Sequence, residues 1–232
     1  MTYSNDINII YEDNHLLVAE KPVNMPSQAD ESKDADILAV LKEYLKHKYD
    51  KPGNIYLGLI HRLDRPVGGV MAFAKTSKAA SRLSEQIRSR EFKKTYLAVI
   101  HGKTDKPCGR LEHHLLKDTK TNTVKAVKKP IPGSKEAILD YETIEGSKEL
   151  SLVKIRLYTG RSHQIRVQFS SIGHPLYGDQ KYGTSLNKIG QQIALWSYEI
   201  KCKHPTRQEE MIFKCKPHDE KPWNLFKTHS LY

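Results

Sequence analysis

The chain has 232 residues, 38% hydrophobic and 28% charged, enough to bury the core of one large domain or two small ones. Lys and Arg outnumber Asp and Glu by 38 to 27, a formal charge of +11 that points to a polyanionic partner, nucleic acid before an anionic membrane surface. No apolar run approaches the ~20 residues of a bilayer span, the first residues lack a signal-peptide pattern, and three cysteines give no disulfide framework, so a reducing cytoplasm is the expected location.

In chain order, Ile7 to Tyr11 and Leu16 to Glu20 read as strands joined by a turn at Asp13-Asn14. Lys21-Pro22 ends the second strand, and Asn24 to Lys33 is a polar loop. Asp34 or Asp36 caps a helix whose apolar face is Ile37, Leu38, Leu41, Tyr44 and Leu45, closed by Pro52-Gly53. Strands Ile55 to Ile60 and Val70 to Ala74 follow. Thr76 or Ser77 then caps a helix with Ala79, Ala80, Leu83 and Ile87 on one side and Lys78, Arg82 and Arg88 on the others. Further strands are expected at Thr95 to His101, Val124 to Val127, Ala137 to Ile144 and Leu150 to Leu157, with a turn at Pro130, Pro132 and Gly133. After Gly160, Ser162 caps a third helix carrying Ile165, Phe169 and Ile172, stopped by Gly173. Ile193 to Lys203 and Glu210 to Lys214 form a ribbon around His204-Pro205, and the tail from Pro217 is polar and loosely specified. Many strands with a few helices, in no regular β-α-β alternation, make an α+β fold around a mostly antiparallel sheet.

Gly58 to Val70 carries the clearest chemistry. An apolar run delivers His61, Arg62 and Asp64 into a turn, with Arg65 next and Gly68-Gly69 leading into the following strand. A carboxylate between two arginines is held ionised and oriented, fit for nucleophilic attack or proton transfer. The competing reading is an aspartate that caps the turn with its side chain. In Thr159 to Arg166 a strand ends at a glycine and a helix begins at once, a natural phosphate site. Arg161 and His163 add donors there, and His163 and Arg166 share one side of the helix. The competing reading is an ordinary capped helix with solvated charges. In Lys93-Lys94-Thr95-Tyr96 a tyrosine enters a strand after a basic pair, which packing alone would also explain. Cys202, His204, Cys215 and His218 can be drawn as a zinc set, but the Cys-x-His spacing is too tight for the common pairs, and no metal is expected. No phosphate-loop or dinucleotide signature appears.

In this order the segments resemble the RluA-type family of pseudouridine synthases, from about Ile7 to about Pro217. Lys21-Pro22 resembles the family's early Lys-Pro element, and His61-Arg62-Leu63-Asp64 its catalytic motif. Lys94-Thr95-Tyr96-Leu97-Ala98 is similar to its Lys-x-Tyr-x-Ala element. Gly160-Arg161-x-His163-Gln164-Ile165-Arg166 and Gly178-Asp179-x-x-Tyr182-Gly183 are similar to the two that follow. Two departures stand out: Val67-Gly68-Gly69 where the family often has Thr-Ser-Gly, and Gln168 where it often has His.

The resemblance implies a pseudouridine synthase catalytic-domain fold, a mostly antiparallel mixed sheet with flanking helices and a central catalytic cleft. Residues 1–232 would form a single catalytic domain without a separate N-terminal RNA-binding appendage. The implied reaction isomerises a uridine in structured ribosomal or transfer RNA to pseudouridine, with no cofactor. The partner is an RNA stem-loop and not a membrane, and the default state is a monomer. By resemblance Asp64 is the essential carboxylate and Arg166 forms the ion pair that holds it. Tyr96 stacks on the uracil, flipped out of the RNA stack at a cost of a few kcal/mol, and assists proton loss from carbon 5. Arg62 fills the space the base leaves, Ile165 packs beneath the uracil, and His61, Arg161, His163 and Lys94 contact substrate. Lys78, Arg82, Arg88, Arg90, Lys93 and Lys94 are candidates for tracking phosphates. Two alternatives stay open: a non-catalytic RNA-binding protein on the same fold, and a hydrolase using His61 and Asp64, which would need a metal or a second acid–base partner.

Overall fold

The structure is a computed structural model and describes residues 7–227. Its strands are β1 (Ile9–Glu12), β2 (Leu16–Lys21), β3 (Gly58–Leu59), β4 (Gly68–Ala74), β5 (Lys93–His101), β6 (Cys108–Asp118), β7 (Thr123–Val127), β8 (Lys135–Gly146), β9 (Leu150–Leu157), β10 (Leu195–Lys203) and β11 (Glu210–Lys214). The helices are α1 (Ile37–Lys48), α2 (Ser77–Arg88) and α3 (Gln164–Ser171), with a 3₁₀ turn at Trp223–Leu225. This is the expected α+β class. The chain divides into two compact units. One runs up to Lys94 and takes back Ser197–Lys216; the other is Thr95–Trp196 and the segment from Pro217.

In the first unit, Asp13 makes the β1–β2 turn. Its Oδ1 accepts the N–H groups of His15 and Leu16, both at 2.8 Å. β2 lies antiparallel to β4, from Leu16 opposite Ala74 to Lys21 opposite Gly69. All seven residues of β4 are buried, as an unbroken Gly-Gly-Val-Met-Ala-Phe-Ala run requires. β10 flanks β4 on the other side. Gly69 makes that approach feasible: its φ is +115°, and a Cβ there would sit 2.3 Å from the Ser197 carbonyl oxygen.

The expected strand Ile55 to Ile60 shrinks to Gly58–Leu59. It pairs only with Phe73 and Ala74, because β2 holds one edge of β4 and β10 lies along the other. Asp36, not Asp34, caps α1 by accepting from Ala39 N at 3.0 Å, and Thr76 caps α2 through Ala79 N at 3.2 Å. α2 packs on β4 and buries Ala79 and Leu83, the latter contributing about 1.5–3 kcal/mol. Its third buried residue is polar. Gln86 donates to the Lys203 carbonyl and accepts the Lys203 N–H, both at 2.9 Å, fastening the helix to β10.

The β10–β11 ribbon forms around His204-Pro205 as expected. His204 is buried, with Nε2 2.7 Å from Asp13 Oδ2 and Nδ1 accepting from Arg207 N at 3.0 Å. Burial pushes the Cys202 thiol up to about 12, so it stays protonated. Two of the four residues of the drawn zinc set, Cys202 and His204, are thus occupied with packing and turn closure.

In the second unit the strand order is β5-β9-β8-β6-β7. The β9–β8, β8–β6 and β6–β7 pairs are antiparallel. The sequence reads as β from Leu111 onward without giving bounds for β6, which starts at Cys108 and alternates exposed and half-buried residues through its first half, as a strand with one face to water does. Leu115, Val124 and Ala137 form a core cluster with Val167 of α3, and Tyr182 packs against it. The tail is better anchored than its composition suggests: Trp223 is buried, and the Lys227 N–H donates to Glu145 at 2.8 Å.

Candidate active site

The Asp64 loop enters from β3 and leaves into β4, and three buried groups pin it. The Asp64 carbonyl accepts Val67 N–H at 2.9 Å and closes the turn through the main chain. Ser27 Oγ donates to the Leu63 carbonyl at 2.8 Å and accepts Leu63 N–H at 3.1 Å. His61 is buried, and its Nε2 accepts Ala72 N–H at 3.0 Å, which places the ring proton of the neutral form on Nδ1. Burial, with the Lys94 ammonium nearby, holds His61 down at about 3.

The third group is Lys21. It is fully buried, and its Nζ donates to the carbonyls of Pro22 (2.8 Å), Met25 (2.6 Å) and Arg65 (3.1 Å), tying the Lys-Pro loop to the residue after Asp64. Burial lowers its pKa to about 7, while the charge of Asp64 works to keep it protonated. Lys21 therefore titrates about neutral pH, and its protonated form is stabilised by Asp64 within this unit. Arg65, one of the two flanking arginines, instead donates to the Asn24 carbonyl at 3.2 Å and pairs with Asp34. Arg62 is exposed, Asp64 half-buried, and Lys94 half-buried with its pKa lowered by burial.

In the second unit the expected Ser162 cap does not form. His163 takes the N-cap position of α3 in the left-handed region (φ 51°) with no side-chain cap bond. The Gln164 side chain fastens the turn that precedes the helix. Its Oε1 accepts from Arg161 N (3.0 Å) and Thr159 Oγ1 (2.8 Å), and its amide donates to the Ile138 carbonyl (3.1 Å). The helix begins at Gln164, so Ser162 lies one residue before the N-cap position.

Six consecutive residues of α3, Gln164 to Phe169, are buried, so the helix has an apolar stripe and buried polar side chains on its other faces, all bonded except for the Gln168 Oε1. Gln168 donates to the carbonyls of Leu111 (3.0 Å) and Ala137 (3.1 Å). Arg166 meets Asp179 in a two-pronged pair, Nε to Oδ2 and Nη2 to Oδ1, both 2.8 Å. Asp179 is fully buried and also accepts the N–H groups of Lys181 (2.9 Å) and Tyr182 (3.1 Å). Burial raises its carboxyl pKa, but the Arg166 bonds and charge outweigh that and hold it below the usual range.

The Tyr182 ring lies under the Arg166 guanidinium, 5.2 Å from centroid to carbon. Its hydroxyl accepts Val124 N–H at 2.9 Å and lies 2.6 Å from His163 Nδ1. His163 and Arg166 do share one side of the helix, and Tyr182 touches both. Ile165 and Tyr96 are buried. Arg161 is exposed and donates to the Glu136 carbonyl at 2.8 Å.

The site residues thus fall into two groups. His61, Arg62, Asp64 and Lys94 lie in the first unit, joined by Lys21. Tyr96, Arg161, His163, Ile165 and Arg166 lie in the second, joined by Asp179 and Tyr182. Lys21, Asp179 and Tyr182 belong to motifs visible in the sequence, yet spacing gives no hint of what each one holds. Among the described residues no His, Cys, Asp and Glu group is arranged to hold a metal ion.

A family model described as RNA pseudouridylate synthase matches residues 15–171. An uncharacterised RNA pseudouridine synthase of Bacillus subtilis is 32% identical over 97% of this chain and 72% of its own length. Another from Aquifex aeolicus is 33% identical over 90% of this chain and 68% of its own. Ribosomal large subunit pseudouridine synthase D of Yersinia pestis is 36% identical over 76% of this chain and 53% of its own. The solved human RNA pseudouridylate synthase domain containing 4 has the same fold, with a TM-score of 0.77 at 22% identity, covering 91% of this chain and 88% of that one. A match over more than half the chain, with relatives above 30% identity of which it spans two thirds or more, places this chain in the RNA pseudouridylate synthase family, of the RluA type its motifs resemble, and makes it an isomerase.

Proposed function

We propose that this isomerase acts on a uridine of ribosomal RNA, with Asp64 as its essential carboxylate. The observation that carries the reading is the way the Asp64 loop is held. A buried ammonium, a buried imidazole and a buried hydroxyl fix the backbone on both sides of the carboxylate, the preorganisation that a reacting group needs. Several relatives are named as synthases of the large ribosomal subunit, which favours ribosomal over transfer RNA.

The reaction breaks the glycosidic C1′–N1 bond, turns the uracil and forms a C1′–C5 bond. The proton on carbon 5 leaves and one is gained at N1, so nothing is oxidised and no group enters. Three routes use an ionised Asp64: addition to C1′, addition to the uracil ring, or removal of a ribose proton. Tyr96 stacks on the uracil and assists loss of the carbon-5 proton. Arg166 keeps the carboxylate ionised. Arg62 replaces the flipped base, its planar guanidinium suited to stacking. Ile165 lies under the uracil, and Arg161, His163, Lys94 and His61 complete the substrate contacts. The protein works as a cytoplasmic monomer. No helix among the described residues is long and apolar enough to cross a membrane.

Tritium release tests this. Ribosomal and transfer RNA transcripts labelled at uracil carbon 5 are incubated with wild-type and Asp64→Ala protein in EDTA. Release from ribosomal RNA by wild type alone is the expected result. Release from transfer RNA only would overturn the choice of substrate. Tight binding without release from either would favour the non-catalytic reading.

A further inference from the structure

At the end of β4 opposite the Asp64 loop lies a cluster that the isomerisation does not use. β4 starts just after that loop, at Gly68, and ends at Ala74, with Lys75 beyond. β2 runs alongside it, Lys21 opposite Gly69 at the loop end and Leu16 opposite Ala74 at the other. At ~3.3 Å per residue the two ends are roughly 20 Å apart.

There Glu12, at the end of β1, accepts from Tyr49 Oη (2.6 Å), Lys48 Nζ (2.7 Å), Lys75 Nζ (2.7 Å) and Tyr44 Oη (3.0 Å). Its side chain is only 6% exposed. Three ammonium groups surround the Tyr49 ring, Lys75 at 4.8 Å and Lys48 and Lys51 at 5.6 Å from its centroid. One buried carboxylate offsets one of these charges. Even counting Asp50, next in the chain, the cluster keeps a positive surplus. Tyr49 itself is 45% exposed. An exposed aromatic ring ringed by cations is the combination that holds single-stranded nucleic acid, ring to base and ammonium to phosphate.

We propose that this cluster is a second RNA contact, in which a base from an unpaired segment flanking the target uridine stacks on Tyr49 while Lys48 and Lys51 bind the adjoining phosphates. The choice of RNA rests on the isomerase reading above. The distance makes the contact additional to the reacting nucleotide: a strand gripped at Asp64 reaches Tyr49 only through several intervening nucleotides.

The test is fluorescence anisotropy with a fluorescein-labelled 12-nucleotide oligouridine between 50 and 300 mM KCl. Tyr49→Ala should weaken binding about 5- to 150-fold, the range for loss of one stacked base. Tyr49→Phe, which keeps the ring, should stay within about twofold of wild type. Lys51→Glu should flatten the slope of log K against log [KCl] by roughly 0.7 or more, as for the loss of one phosphate contact. Thermal melting checks folding. Should Tyr49→Ala melt, Tyr49→Phe and the exposed Lys51→Glu carry the test. Wild-type affinity and slope in both Tyr49→Ala and Lys51→Glu would overturn the proposal, and so would an equal loss in Tyr49→Phe and Tyr49→Ala. Tritium release by the wild type is scored separately. Release with indifferent patch variants overturns the patch alone, and no release from any RNA overturns the isomerase reading while the binding data still decide the patch.

Discussion

Replacing Asp179 with Asn probes the buried ion pair on which the Arg166 guanidinium rests. Oδ1 serves three donors, Arg166 Nη2, Lys181 N and Tyr182 N, while Oδ2 serves Arg166 Nε alone. An asparagine oxygen can keep the first set. Its NH₂ group then faces the Arg166 Nε–H, donor against donor, and the charge that balanced a buried guanidinium is gone. Two unit charges ~4 Å apart attract by about 4 kcal/mol at an effective dielectric near 20, and breaking a buried pair by removing one partner costs about 3–5 kcal/mol. Asp179→Asn should therefore lose about 3 kcal/mol, and Arg166→Met a similar amount by stranding the carboxylate. The double variant, with neither ion of the pair left, should cost far less than the sum, giving a coupling energy of about 2–3 kcal/mol. Urea unfolding of the four proteins at pH 7 measures the cycle. The acid limb supplies a second check. Asp179 titrates below its unfolded value in the folded state, so its contribution is present above about pH 3.9 and drains away as pH falls below that. The Asn variant should lose less over that interval. A single-variant cost under ~1 kcal/mol that adds without coupling would refute the account of the pair.

His61 is held down at about 3 by burial, with Lys94 adding to it, while the unfolded chain binds that proton near ~6.5. Stability should fall by ~1.4 kcal/mol per unit as pH drops from about 6.5 toward 3. His61→Leu should remove that slope, and equal slopes for the two proteins in urea titrations at pH 6.5 and 4.5 would contradict it. Gly178→Ala should cost more than ~2 kcal/mol, because φ is +75° and the new Cβ would lie 2.0 Å from the Gln192 carbonyl oxygen. Gly173→Ala is its control: φ is +87° but nothing lies within 4 Å, so only the backbone cost of ~1–2 kcal/mol remains, and similar melting shifts for both would sink the steric argument. Lys21→Met leaves three carbonyls without their donor and should cost about 3 kcal/mol. It should lower turnover at saturating RNA more than RNA affinity, and unchanged turnover would show that the loop holds its shape without the ammonium.

What the sequence displayed was chiefly local chemistry. Asp13, Asp36 and Thr76 each accept N–H groups two or three residues ahead, so their turn and caps depend on almost nothing else. The order of the motifs likewise pointed to the family. What stayed hidden was decided by partners distant in the chain. β3 is cut to two residues because β2 and β10 already hold the edges of β4. Ser162 does not cap because the helix starts one residue later, with His163 at the N-cap and the turn before it fastened by Gln164 to Thr159, Arg161 and the distant Ile138. Lys21 is a residue type that almost always faces water, and only carbonyls from two loops make its burial tolerable. The same holds for Asp179, whose aspartate identity was visible but whose guanidinium partner lies thirteen residues away on a helix read as amphipathic.

Each unit places its candidate residues around an ion that stability alone would not select. Burying a charge costs several kcal/mol even after relaxation, and a well-packed apolar residue of similar volume often does as well or better. Lys21 and the Arg166–Asp179 pair are nevertheless buried, and each meets several partners at 2.6–3.1 Å. An apolar side chain could fill either space, but it could not hold three carbonyls of two loops in a fixed relation, nor aim a guanidinium. The physical return on these ions is direction: they orient the backbone beside Asp64 and the plane of Arg166 before any RNA arrives. A site built this way does not reorganise as charge develops, which is where preformed dipoles gain their advantage over water. The Lys21 and Asp179 variants therefore separate two quantities that a stability measurement merges, the free energy of folding and the geometry that folding delivers.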